Sequence, residues 1–157
     1  MERISYQDIP TGMFEKLRKI EDFIKESNLD LNLIELVKLR VAQNNDCAYC
    51  VDMHHKELKN SGETDLRAAS LCVWKATPYF SEKESAALTL ADTLTQQANL
   101  SISDEIYNPL LQYFNKKEIC FLTLVIAQAN TWTMLMKTFK FTPGNYQVQK
   151  REEVSSS

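Results

Sequence analysis

The chain has little of what marks β-architecture, nucleic-acid binding or secretion. Its 157 residues include only three glycines and four prolines, too few to punctuate the many tight turns of a sandwich or barrel, and no sustained period-two alternation is present. Basic residues do not predominate: 18 Lys and Arg stand against 21 Asp and Glu, for a formal net charge of −3. That balance gives no electrostatic case for a nucleic-acid partner, which needs a basic stripe. Four cysteines fall short of a secreted disulfide framework in a chain of this length. The N-terminus, MERISYQDIP, carries charge and no apolar h-region, so no secretory signal is read there. Internal repeats, phosphate-cradling glycine loops and serine nucleophile elbows are also absent from the sequence. The expectation is an all-α protein of the reducing cytosol.

What is present is a succession of helical patterns within one domain, residues 1–146, followed by a polar tail at 147–157 that is expected to be disordered. Met13, Phe14, Leu17, Ile20, Phe23 and Ile24 form an amphipathic stripe suited to core contact. Leu66 to Trp74 reads as one helix closed by Pro78, with Trp74 as a core anchor. Ser81 with Glu84 and Asn115 with Glu118 are capping boxes that open two further helices, the first running to about Gln97. Pro109 predicts a kink or break between Ser101 and Phe114. The 18 residues from Ile119 to Met136 carry no charge, which reaches the lower limit for a membrane span. Thr123, Gln128, Asn130, Thr131 and Thr133 interrupt the run, so it is read as a buried helix that also supplies a subunit interface. No membrane partner is expected.

The chemistry concentrates between Glu35 and Leu58, ELVKLRVAQNNDCAYCVDMHHKEL, which holds both histidines and two of the four cysteines. If the segment from Asp46 onward is helical, Cys47, Cys50 and His54 share one face. A Cys-x-x-Cys pair at a helix start is favoured for redox work, because the unpaired N–H groups of the first turn stabilise a thiolate. His54, one turn on, can take or return the proton. Glu35 lies on a preceding helix, and Asn44-Asn45-Asp46 supplies the break that lets it approach the cysteines, with Asp46 as the expected cap. Glu35 could instead pair with Lys38 at i,i+3. The strongly apolar surroundings of Leu33, Ile34, Leu36, Val37 and Leu39 favour a partly buried carboxyl able to hold a proton near neutral pH. A zinc site built from Cys47, Cys50, His54 and Glu35 or His55 is a rival reading, weakened because structural zinc ligands normally come as two separated pairs. Cys72 and Cys120 sit in apolar runs and are expected in the core.

At these residues the chain resembles the alkylhydroperoxidase D-like branch of the carboxymuconolactone decarboxylase superfamily. The shared pattern is a glutamate, eleven residues, Cys-x-x-Cys, three residues and a histidine, here Glu35, Cys47, Cys50 and His54. Tyr49, Ser61-Gly62-Glu63, Trp74, the FSEKESAAL run and Asn130-Thr131-Trp132 extend the likeness over roughly residues 10 to 140. The resemblance implies an alkylhydroperoxidase D-like helical bundle assembled as a trimer or hexamer, in which Cys50 reacts with peroxide, Cys47 resolves it, and Glu35 and His54 relay protons. It implies no cofactor. Two departures stand out: His55 follows the family histidine, and Thr133-Met134 replace an Asn-Arg pair common in relatives.

The function expected is a thiol-dependent peroxidase whose Cys-x-x-Cys pair cycles between sulfenic acid and disulfide. A hydroperoxide is the substrate and an external thiol or a lipoyl-type partner the reductant. Two alternatives keep the same cysteines: a disulfide oxidoreductase without peroxidase activity, and a non-catalytic redox or metal-binding helical module. Local cues divide over which sulfur attacks. The first helical turn favours a thiolate at Cys47, Asp46 beside it opposes that charge, and the spacing of His54 and the resemblance both name Cys50.

Overall fold

A computed structural model describes residues 1–96 and 101–149, and among these there are seven α-helices and no strand. Helix α1 spans Met13–Lys25, α2 Leu31–Asn44, α3 Ala48–Asn60, α4 Asp65–Ser70, α5 Glu82–Gln96, α6 Asp104–Tyr113 and α7 Lys116–Phe139. Helix α2 is the centre: it packs against α3, α5 and α7, and Leu36, Val37, Val41 and Ala42 along it have no exposed surface. That is why its sequence is apolar on most sides rather than along one stripe. A 17-residue core cluster joins α2 to α5 and α7 through Val37, Val41, Ala87, Leu90, Leu122 and Ile126.

Local chemistry sets the helix ends. Asp30 Oδ1 accepts from Leu33 N at 3.1 Å to cap α2. Ser81 and Glu84 exchange reciprocal bonds of 2.7 and 3.2 Å, and Asn115 and Glu118 bonds of 2.8 and 3.0 Å, so both capping boxes form as the sequence predicts. Helix α3 closes with Gly62 N to Lys59 O and Glu63 N to Leu58 O, a Schellman ending that needs the left-handed φ of 97° at Gly62.

Several expectations are corrected. The helix predicted up to Pro78 breaks: α4 ends at Ser70 and the chain tightens into a 3-10 turn, Leu71–Ala76, with Val73 at φ −122°, ψ 30°. The tighter turn buries Leu71 and Trp74 while turning Cys72 and Val73 outward. Pro109 does not break α6, because the carbonyl it deprives of a donor belongs to exposed Glu105 and is left to water. Cys72 and Cys120 are both exposed. Phe23 is 51% exposed and meets Phe121 at 5.1 Å rather than entering the core. The predicted tail falls mostly on residues 150–157, outside the described residues, as does Gln97 at the expected end of α5.

Helix α7 is long and apolar enough to cross a membrane by length and composition. It packs instead against α1, α2, α3 and α5, burying Leu122, Val125, Ile126, Ala129 and Met136. Its other side, with Cys120, Thr123, Ala127 and Met134, is exposed.

Candidate functional site

The site begins at the hinge between α2 and α3. Asn45 N bonds Val41 O, Asp46 N bonds Gln43 O and Cys47 N bonds Ala42 O, each at 3.1 Å. Asp46 adopts a left-handed φ of 52°, a conformation its short polar side chain tolerates. The cap of α3 is therefore Cys47, not Asp46 as the sequence predicts; a residue turned left-handed cannot offer its side chain to the first turn from the extended cap position. Helix α7 holds this hinge from outside, through Asn45 Nδ2 to Asn130 Oδ1 at 2.9 Å and Lys137 Nζ to Asn45 O at 2.6 Å.

Both thiols are free and buried, with Cys47 2% and Cys50 0% exposed. They pack in a cluster with Phe14, Ala42, Met136, Phe139 and Phe141. The two sulfurs lie 2.7 Å apart and share one S–H hydrogen bond. That bond, with the backbone N–H groups of Cys50 and Tyr49 and the Lys137 ammonium, outweighs burial and lowers Cys47 from 9.0 to about 7. The same bond pushes the Cys50 thiol up, and burial adds to the rise. Cys47 is thus the first of the pair to ionise, and Cys50 is the thiol that keeps its proton.

His54 lies one turn beyond Cys50 and is buried. Its Nδ1 meets Glu35 Oε2 at 3.0 Å, which leaves Nε2 as the ring atom free to exchange a proton. Glu35 reaches the imidazole from α2, which packs along α3, so the break at Asn44–Asp46 brings the two together. Its other oxygen accepts from Lys38 Nζ at 3.4 Å, so the alternative i,i+3 pairing exists alongside the one to His54. The protonation expected of Glu35 is corrected. Burial does raise its carboxyl, but the hydrogen bond and charge of His54 and the Lys38 ammonium win and hold it at about 2. His55 is exposed, turned about 100° from His54 around α3. Among the described residues no group of three or more His, Cys, Asp or Glu side chains is gathered to hold a metal.

Glu35, Lys38 and His54 line a cavity of about 760 Å³. Phe14, Met136 and Phe141 belong both to its wall and to the cluster around the thiols, so the cavity and the thiols share a wall of two phenylalanines and a methionine. A second depression of about 440 Å³, lined by Pro10, Thr11, Met13, Lys16, Leu17, Thr131 and Leu135, contains neither nucleophile nor acid–base pair. Sequence reasoning missed Glu21, which faces the first cavity from α1 and bonds Lys38 Nζ at 2.7 Å and Trp132 Nε1 at 3.0 Å. The available signal was Lys38 itself, a buried cation in a helix that is apolar on most sides.

Comparisons with known proteins agree on the family and the fold. The model of the carboxymuconolactone decarboxylase (CMD) family matches residues 12–93. The uncharacterized protein YdfG of Bacillus subtilis is 33% identical over 135 residues, 85% of this chain and 91% of the relative. A solved structure from Agrobacterium tumefaciens, a protein of unknown function described as a candidate antioxidant defence protein AhpD, superimposes with a TM-score of 0.87 at 30% identity, covering 93% of this chain and 100% of its own. An uncharacterized peroxidase-related protein of Ralstonia eutropha with an alkylhydroperoxidase AhpD core has the same fold, with a TM-score of 0.76 at 17% identity over 84% of this chain and 70% of its own. With the family model spanning more than half of its length and a relative matched almost from end to end, the chain belongs to the carboxymuconolactone decarboxylase family, in its alkylhydroperoxidase D-like branch.

Proposed function

We propose that the protein is a thiol-dependent peroxidase that reduces hydroperoxides through Cys50 and Cys47. The observation that carries this reading is a buried dithiol, its sulfurs 2.7 Å apart, followed one turn along α3 by His54, which pairs with Glu35 of α2 at 3.0 Å. A packing role needs neither the shared S–H bond nor a buried imidazole–carboxylate pair. The likeness to a candidate antioxidant defence protein supports the same chemistry.

In the proposed cycle, His54 Nε2 takes the Cys50 proton as Cys50 Sγ attacks the near oxygen of the hydroperoxide. The O–O bond breaks, the alcohol leaves with a proton returned through His54, and Cys50 becomes a sulfenic acid. The Cys47 thiolate then attacks Cys50 Sγ, the S–O bond breaks, the hydroxide leaves as water with a proton taken from solvent, and a disulfide forms. An external dithiol, of the lipoyl type or another small thiol, returns two electrons and two protons. The low Cys47 value suits this second step, since the thiolate and not the thiol is the nucleophile. Glu35, ionised, stabilises the imidazolium between the two proton transfers. The cytosol, expected from the cysteine usage, would supply the reductant.

The test is hydroperoxide consumption by the purified protein with dihydrolipoamide as reductant, for both an alkyl hydroperoxide and hydrogen peroxide. Turnover that disappears in Cys50→Ser supports the proposal. Reduction of protein or small-molecule disulfides without peroxide consumption would favour the disulfide oxidoreductase alternative, and absence of both activities would favour a non-catalytic redox module.

A further inference from the structure

Four helices contribute to one chain of buried and half-buried polar groups that extends well past the Glu35–His54 pair. Trp132 Nε1 of α7 donates to Glu21 Oε1 of α1 at 3.0 Å. Glu21 Oε2 accepts from Lys38 Nζ of α2 at 2.7 Å, and the same ammonium reaches Glu35 Oε1 at 3.4 Å. Glu35 Oε2 then meets His54 Nδ1 of α3 at 3.0 Å. Lys38 is only 8% exposed. Desolvating an ammonium costs several kcal/mol, and leucine or methionine would fill this apolar helix without that cost. The geometry shows what the lysine does: it occupies one oxygen of each of two carboxylates, leaving one face of Glu35 for the imidazole. Trp132 fixes the far carboxylate, so no member of the chain can rotate alone.

We propose that Lys38 and Glu21 are positioning residues for the Glu35–His54 pair, holding His54 as the Nδ1–H tautomer with Nε2 bare toward the thiol side. The inference rests on the reading of Glu35 and His54 as the acid–base pair. Fixing the tautomer matters because an imidazole with its proton on Nε2 cannot accept one there. With Lys38 shared between Glu21 and Glu35, the three groups together carry one negative charge, next to the ring that receives the thiol proton. The groups facing Glu35 are His54 from α3, Lys38 on its own helix with Glu21 behind it, and Tyr146 from the segment after α7. Arg18, Lys25 and Glu57 line the same cavity.

The decisive variant is E21Q/K38M, which removes one charge of each sign and leaves the net charge of the cluster unchanged. Nitrogen-15 NMR of the imidazole reads the tautomer directly, and since the chain has two histidines, a His55→Asn background leaves one ring to observe. The wild type should show the Nδ1–H form alone; the double variant should show a mixture. Hydroperoxide turnover should fall by about 10-fold, less than the about 10²-fold or more expected for loss of the base itself. Lys38→Arg should restore the single tautomer and most of the turnover. If the double variant does not fold, Trp132→Phe, which removes the N–H anchoring Glu21 while keeping an aromatic ring, should still make the second tautomer detectable. A folded variant of either kind with wild-type imidazole signals overturns the proposal. So does a Lys38→Arg protein as impaired as the double variant. The imidazole signals need no peroxide, so they decide this inference even for a protein that consumes none; an inactive wild type would fail the peroxidase reading alone.

Discussion

His54 and Glu35 are 19 positions apart in sequence, yet Nδ1 and Oε2 lie 3.0 Å apart, because a left-handed Asp46 folds α3 back along α2. The carboxylate is held ionised by that contact and by Lys38, so it acts by orienting and charge-stabilising the imidazole rather than by giving up a proton of its own. His54→Ala and Glu35→Gln are each expected to slow peroxide turnover by about 10²- to 10⁴-fold. The double substitution should cost less than the product of the two, because residues acting as one unit are not additive. His55→Ala, on an exposed position of the same helix, should change the rate little. Steady-state kinetics on the four proteins checks this, and a crippling His55→Ala with a mild His54→Ala would defeat it.

The assignment of the attacking sulfur is open to a direct trap experiment. Cys50 shares a helix face with His54, while Cys47 is the first of the two to ionise. With Cys50 attacking, Cys47→Ser should accumulate a dimedone-reactive sulfenic acid at Cys50 after one equivalent of hydroperoxide, and Cys50→Ser should form none. The reverse pattern by mass spectrometry would make Cys47 the attacking residue and Cys50 the resolving one.

Exposure and charge together predict an order of thiol reactivity. Cys72 and Cys120 are exposed and the pair is buried, so brief native alkylation should label Cys72 and Cys120 first. Mild peroxide applied after that step should remove two hydrogens from the peptide holding Cys47 and Cys50 alone. Alkylation of Cys47, followed against pH, should rise with a midpoint at about 7. The largest cause of that value is the S–H bond shared with Cys50, so Cys50→Ala should move the midpoint up toward the ordinary 9.0. Lys137→Met, which removes a smaller contribution, should move it less. An unmoved midpoint in Cys50→Ala would show that the shared bond does not set it.

Local signals carried well from sequence to structure, while long-range ones did not. Ser81 with Glu84 and Asn115 with Glu118 announce helix starts because both partners lie within one turn. The i,i+3 and i,i+4 spacing of Cys47, Cys50 and His54 puts them on one face for the same reason. The partners of Lys38 and Trp132 were hidden because Glu21 lies 17 and 111 positions away from them, and only the packing of α1 against α7 brings it near. Cys72 misled because a residue in an apolar run faces inward only if the helix keeps its phase, and the tightening at Leu71–Ala76 shifts it. The ionised state of Glu35 was hidden too, since apolar neighbours in sequence say nothing of the imidazole and ammonium that reach it in space.

The exposed side of α7 offers a prediction about assembly. Cys120, Thr123, Ala127 and Met134 follow one another at helical spacing on that side, and Met134 is 67% exposed. A homo-oligomer, trimer or hexamer, would cover such a face. Light scattering should therefore return three or six times the chain mass of 18.1 kDa, and Met134→Glu, which places a charge in the stripe, should reduce it. A monomer at micromolar concentration would contradict the expectation.

Glu35 also makes acid stability a test of the site. Its carboxyl titrates at about 2 in the folded chain against an ordinary value of 4.5. A group lowered on folding stabilises the native state fully above its unfolded value and loses that contribution as pH falls through the folded one. The window is therefore pH 4.5 down to about 2, and the contribution above it is about 3 kcal/mol at most, since His54 and Lys38 are counted in the same shift. Glu35→Gln removes the carboxylate while keeping an acceptor for the imidazole N–H. Its unfolding free energy should fall below the wild type's at pH 6, and the gap should narrow as pH is lowered through the window. Denaturant midpoints at pH 6, 4 and 2.5 measure this. A gap that stays constant over that range would mean that Glu35 stabilises the chain by packing and hydrogen bonding alone, and that its charge does not face His54 and Lys38 in solution.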